Sequence, residues 1–166
     1  MPRLRLLGID PGSSRTGYAC VEVDRDGGAP TLVEAGFLRL SARRSLSHRL
    51  LQLERDLDST ISELRPDRIA VEAVFTHTRN LRTAIVLGHA RGVVLLVAER
   101  HGLSLDEITP AAVKKAVTGN GAATKRQVQL AVASLCGLSS PPSPSDVSDA
   151  IAIALTAIRR VPPARR

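Results

Sequence analysis

The sequence predicts an α/β protein, a five-stranded mixed sheet with helices on its faces. Three observations carry that expectation. Short apolar runs bounded by turn residues come first, at 4–10, 18–23 and 31–40. From Leu46 the hydrophobic period changes to threes and fours, and two further β-like runs, at 68–74 and 103–108, then alternate with helical segments. The 166 residues are the size of one ordinary domain, expected to occupy 1–160 with 161–166 as a short flexible tail.

The first two runs are joined by Pro11, Gly12, Ser13 and Ser14, a turn of small residues. An Asp- and Gly-rich stretch at 24–30 precedes the third, so the first three strands should form an antiparallel meander. Leu46, Leu50, Leu53, Leu57, Ile61 and Leu64 make one face of an amphipathic helix, which Pro66 ends. The run RIAVEAV at 68–74 holds Glu72 among apolar neighbours. After a polar, basic stretch at 75–81, a long helix is expected from about 80 to 101. Its Gly88 and Gly92 should allow close packing on one side, and its VVLLVA centre implies burial on two, against the sheet and against a second subunit. Pro110 opens a short helix carrying Lys114 and Lys115, and the loop at 118–121 leads into a helix at about 124–136. The link SSPPSPS precedes a last helix whose acids at the start and arginines at the end, Arg159 and Arg160, suit the helix dipole.

Composition narrows the function. Aromatic residues are only 2% of the chain (Tyr18, Phe37 and Phe75), so the core should be aliphatic and an exposed ring a rare event. A net charge of +7 points to polyanionic partners, nucleic acid before a membrane surface. The opening MPRLRLLGID lacks an uninterrupted apolar signal region, and no apolar run approaches the roughly 20 residues of a spanning helix. A cytoplasmic location without a membrane partner is therefore expected. Cys20 and Cys136 lie far apart without metal-like spacing and read as free thiols.

Of the sixteen acids, four interrupt apolar runs or open an apolar helix: Asp10, Glu72, Asp146 and Asp149. Asp146 and Asp149, three apart in a first helical turn, project from one face. Each has a plainer explanation, as a turn acid for Asp10, an arginine-paired strand end for Glu72, or a first-turn acid complementing the dipole for the other two. Asp106 and Glu107, at the end of the fifth run, compete for the same role. Convergence of several carboxylates at one sheet edge would raise their pKa values unless cations neutralised them, and oxygen-only ligands select Mg²⁺ or Mn²⁺. The three lysines, Lys114, Lys115 and Lys125, share one window with Arg126 and suit phosphate. Phe75, an apolar ring beside His77 and Arg79, suits stacking on or wedging between bases.

Five segments, GIDPGSSRTG, VEAVF, LGHARGVV, TPAAVKKAVTGNGAATKRQV and SDVSDAIAIALTA, resemble in order and spacing the RuvC family of Holliday-junction resolvases. The resemblance covers all but the last few residues. It implies a ribonuclease-H-like fold, a homodimer and Mg²⁺-dependent endonuclease activity on four-way junction DNA, with two ions per site and Mn²⁺ as a substitute. By motif matching, Asp10, Glu72, Asp146 and Asp149 would be the catalytic, metal-holding carboxylates. Lys114 and Lys125 would contact DNA, and Phe75 would disturb base stacking. Arg79, Lys115 and Arg126 join the expected DNA-binding set as their basic neighbours. RuvA and RuvB, the branch-migration proteins, are the partners implied. Alternatives are a ribonuclease-H-like nuclease acting on structured RNA and a junction-binding module without catalysis. An actin-like fragment, suggested by the GIDPG turn, would lack its second lobe.

Overall fold

A computed structural model describes residues 3–41, 43–73 and 81–161. Among these residues five strands and five helices follow in the order β1 (Arg3–Asp10), β2 (Arg15–Asp24), β3 (Thr31–Arg39), α1 (Leu46–Leu64), β4 (Arg68–Glu72), α2 (Leu81–Arg100), β5 (Ser104–Ile108), α3 (Pro110–Thr118), α4 (Lys125–Leu135) and α5 (Ser145–Ile158). The sheet order is β3-β2-β1-β4-β5. The meander β1, β2, β3 is antiparallel, and β4 and β5 add in parallel to β1, so the sheet is mixed as expected. The second strand is longer than its apolar run, because Arg15, Thr16 and Gly17 also pair, with Arg39, Leu38 and Phe37.

Strand parity divides the core. Leu4 and Leu6 of β1, Ala19 and Val21 of β2 and Ala70 of β4 pack toward α5. Leu7, Ile9, Cys20 and Ile69 point the other way, onto Leu57 and Ile61 of α1 and Val94 and Val97 of α2. Because alternate residues share a face, Asp10 and Glu72 fall on the α5 side. Nearly all of α5 is buried, and the sheet meets it through glycine. A Cβ on Gly8 would lie 2.5 Å from the Ala150 carbonyl oxygen, and one on Gly17 would lie 2.1 Å from that of Asp146. Only a residue without a side chain lets the helix lie this close.

Local chemistry sets the ends of α1. The Ser45 hydroxyl accepts from the His48 N–H, and Arg65 takes the left-handed conformation (φ 48°), donating to the Ile61 carbonyl just before Pro66. The helix α2 departs from expectation. Its Ala90, Val94, Val97 and Ala98 are buried, but Leu81, Ile85, Leu95 and Leu96 are exposed, and among the described residues nothing lies within 4 Å of a Cβ built on Gly88 or Gly92. The close packing expected at these glycines is therefore not made among the described residues. Contrary to the sequence reading, this helix is long and apolar enough to cross a membrane. One side of it is nonetheless held in the fold: Arg91 donates to the Glu72 carbonyl at 2.7 Å and pairs with Glu107 at 2.6 Å.

Candidate active site

The carboxylates are positioned by strand ends and one helix turn. β1 and β4 run side by side with Ile9 opposite Val71, so Asp10 and Glu72 leave the sheet together at its carboxyl edge. Across β1 on the other side, Asp10 is paired with Gly17, over which the first turn of α5 lies. That contact brings Asp146 and Asp149 to the same edge. The helices α3 and α4 pack against α5 and deliver lysines: α4 begins at Lys125, just after a capping box in which Thr124 and Gln127 satisfy each other's backbone N–H.

Asp10, Glu72 and Asp149 line one cavity of about 270 Å³ with Lys114 and Lys125, walled by Pro110, Val113, Val128 and Ala152. Lys125 Nζ stands 2.9 Å from Asp149. Asp146 does not line the cavity; it stands at its rim, 3.6 Å from Arg15 Nε, and still acts on Asp10 through space. Burial raises the Asp10 carboxyl to about 7, with the charges of Asp149, Glu72 and Asp146 adding to the rise and Lys125 opposing it. Glu72 is also raised, by burial and then by Asp149, against Lys114 and Lys125. Lys125 is raised mainly by its hydrogen bond to Asp149.

Mutual repulsion of this kind marks a site suited to cations. Among the described residues, no three Asp, Glu, His or Cys side chains are already closed into a metal-holding group. The four acids are thus less tightly gathered than the sequence reading implied, with lysine and arginine engaging two of them. The rival acids are settled: Asp106 makes a two-pronged pair with Arg68 (2.8 and 3.2 Å), and Glu107 binds Arg91. Lys115 and Arg126 are exposed outside the cavity, while Phe75 and Arg79 lie outside the described residues. Arg15 escaped the sequence reading. Its signal was there, in a cation directly after the small-residue turn, but its pairing with Asp146 spans the chain.

The fold and the carboxylate edge define a protein of the ribonuclease-H-like class. Comparison with known proteins narrows this. A family model described as "Crossover junction endodeoxyribonuclease RuvC" matches residues 6–157. Curated relatives of that name from Caldicellulosiruptor saccharolyticus and Chloroflexus aggregans are 43% and 45% identical over 92% of this chain, covering 90% and 91% of theirs. Two Thermus thermophilus RuvC structures, one of them in complex with a Holliday junction substrate, superpose with TM-scores of 0.82 and 0.85 at 32% identity, over 92% of each chain. The chain belongs to the RuvC family of crossover junction endodeoxyribonucleases.

Proposed function

We propose that this protein resolves Holliday junctions in DNA recombination and repair, as a structure-selective endonuclease making paired symmetric nicks. The observation that carries the reading is the meeting of Asp10, Glu72 and Asp149 with Lys114 and Lys125 in one cavity, in a chain of this family. The donor set suits Mg²⁺: all candidate ligands are carboxylate oxygens, and Asp10 is held near 7 by burial and acidic neighbours that a hard cation would relieve. Asp10, Glu72 and Asp149 would hold the metal, two ions per site, with Asp146 contributing from the rim and Mn²⁺ able to substitute. Such ions, when bound, supply the acidity that makes water a nucleophile and the positive charge that offsets the leaving oxygen.

The chain's own groups do the rest. Lys125 and Lys114 grip the phosphate to be cut and offset charge as the bond breaks. Lys115 and Arg126, exposed on the same helices, extend the contact to neighbouring phosphates, and Arg79 and Phe75 belong to the DNA-binding set by motif. The exposed apolar face of α2 supports a homodimer, whose two-fold axis would present two sites to strands of like polarity. This reading comprises one nuclease domain over 1–160, a cytoplasmic location, and RuvA and RuvB as partners by family. The deciding experiment offers the protein a synthetic mobile four-way DNA junction and a structured RNA in Mg²⁺. Cleavage of the junction alone, stopped by chelator and by Asp10→Asn, is expected; cleavage of RNA alone, or metal-independent cutting, would overturn it.

A further inference from the structure

Between Glu34 and Glu54 the sequence contains no acid but has Arg39, Arg43, Arg44 and Arg49. Elsewhere Arg3, Arg5, Arg25, Arg68, Arg91 and Arg100 each form an ion pair. Among the described residues, Arg39, Arg43 and Arg44 form none, and all three are exposed. Two of them line an open groove of about 520 Å³ together with Arg15, Ser14, Leu40 and Gln52.

The groove is built rather than incidental. The Leu40 N–H donates to the Ser14 carbonyl at 2.9 Å, tying the end of β3 to the turn before β2. Gln52 of α1 donates to the Arg39 carbonyl at 2.8 Å, and the Arg39 guanidinium lies over the Phe37 ring, 5.8 Å from its centre. A guanidinium held on an aromatic face is pre-organised and still offers its fork of N–H donors to an anion. The groove also adjoins the active site. Arg15 is opposite Arg39 in the sheet and reaches Asp146 on its other side. Asp10 is opposite Gly17 and Gly17 opposite Phe37, two strand spacings or about 10 Å, with Arg39 two residues further along β3, which is within the span of nearby phosphates on one bound DNA arm.

We propose that this groove, with Arg39 and Arg43 as its principal donors, is a second phosphate-binding site that takes the DNA backbone beside the strand being cut. The proposal rests on the junction-cleaving reading and extends it to backbone phosphates that the lysine-lined cavity does not reach. Bidentate guanidinium contacts hold two backbone phosphates there, with Arg15 linking them to the rim of the active site.

The test measures binding of a synthetic four-way junction across a salt series, on the Asp10→Asn background so that the DNA stays intact. Wild-type cleavage of the same junction is assayed alongside. Each phosphate contact contributes about 0.9 to the slope of log affinity against log salt, so Arg39→Gln with Arg43→Gln should lower that slope by nearly 2 and weaken binding about tenfold or more at moderate salt. Arg39→Lys with Arg43→Lys, which keeps the charge, should restore most of the slope. If the wild type cleaves junctions but the glutamine pair leaves slope and affinity unchanged, the groove is refuted and the junction reading stands. If four-way DNA is neither bound nor cut by the wild type, both fall.

Discussion

Replacing Asp10 with Asn should make the metal-free protein more stable at neutral pH while abolishing cleavage. Asp10 is raised from 3.8 to about 7, first by burial and then by Asp149, Glu72 and Asp146. Between those pH values the folded protein keeps a proton that the unfolded chain has lost, so stability falls as pH rises through the window and is level above it. At about 1.4 kcal/mol for each tenfold change in proton affinity, the carboxylate costs the fold under about 2 kcal/mol at pH 5 and on the order of 4 kcal/mol above pH 7. Asn keeps the shape and removes the charge, though its amide is still desolvated, so a gain of about 2 kcal/mol or more is expected at pH 8. Urea denaturation of both proteins in chelator from pH 5 to 8 reads it out. Added Mg²⁺ should then stabilise the wild type far more than the variant. A variant no more stable than wild type at pH 8, or a difference that does not grow between pH 5 and 7, would refute the account of Asp10 as a buried carboxylate awaiting a cation.

Lys125→Met removes the cation 2.9 Å from Asp149 and one that lowers Asp10, so junction cleavage should fall about 100-fold or more, and its pH profile should shift upward. Single-turnover rates across a pH series check both. Gly8→Ala places a Cβ 2.5 Å from the Ala150 carbonyl oxygen and 2.6 Å from the Ala154 nitrogen, so α5 must shift, costing about 3 kcal/mol in denaturation and displacing Asp149 enough to lower cleavage. Asp106→Asn breaks a half-exposed pair with Arg68, should cost less than about 1 kcal/mol, and should leave cleavage near wild type, which separates this acid from the site.

The catalytic candidates were readable because acids that interrupt apolar runs are conspicuous. Asp10 follows Ile9, and Glu72 follows Val71, two side chains fully removed from water. The same rule did not separate Asp106 and Glu107 from the set, since what neutralises them is Arg68 and Arg91 on neighbouring elements. Nor did periodicity tell which side of α2 stays uncovered: a helix apolar nearly all round carries little directional signal, and Ile85 and Leu96 lie exposed where close packing was expected.

Strand and helix order, the aliphatic core and the identity of the acids all follow from local pattern, because hydrophobic period and turn residues act over a few positions. Distances between parts remote along the chain follow from no such rule. The meeting of Asp149 with Lys125, the turning of Asp146 toward Arg15 and the gathering of Arg39 and Arg43 into one groove were decided when α5 settled onto Gly8 and Gly17 and β3 closed against the β1–β2 turn. Those contacts depend on how closely whole elements can approach, which tertiary packing alone determines.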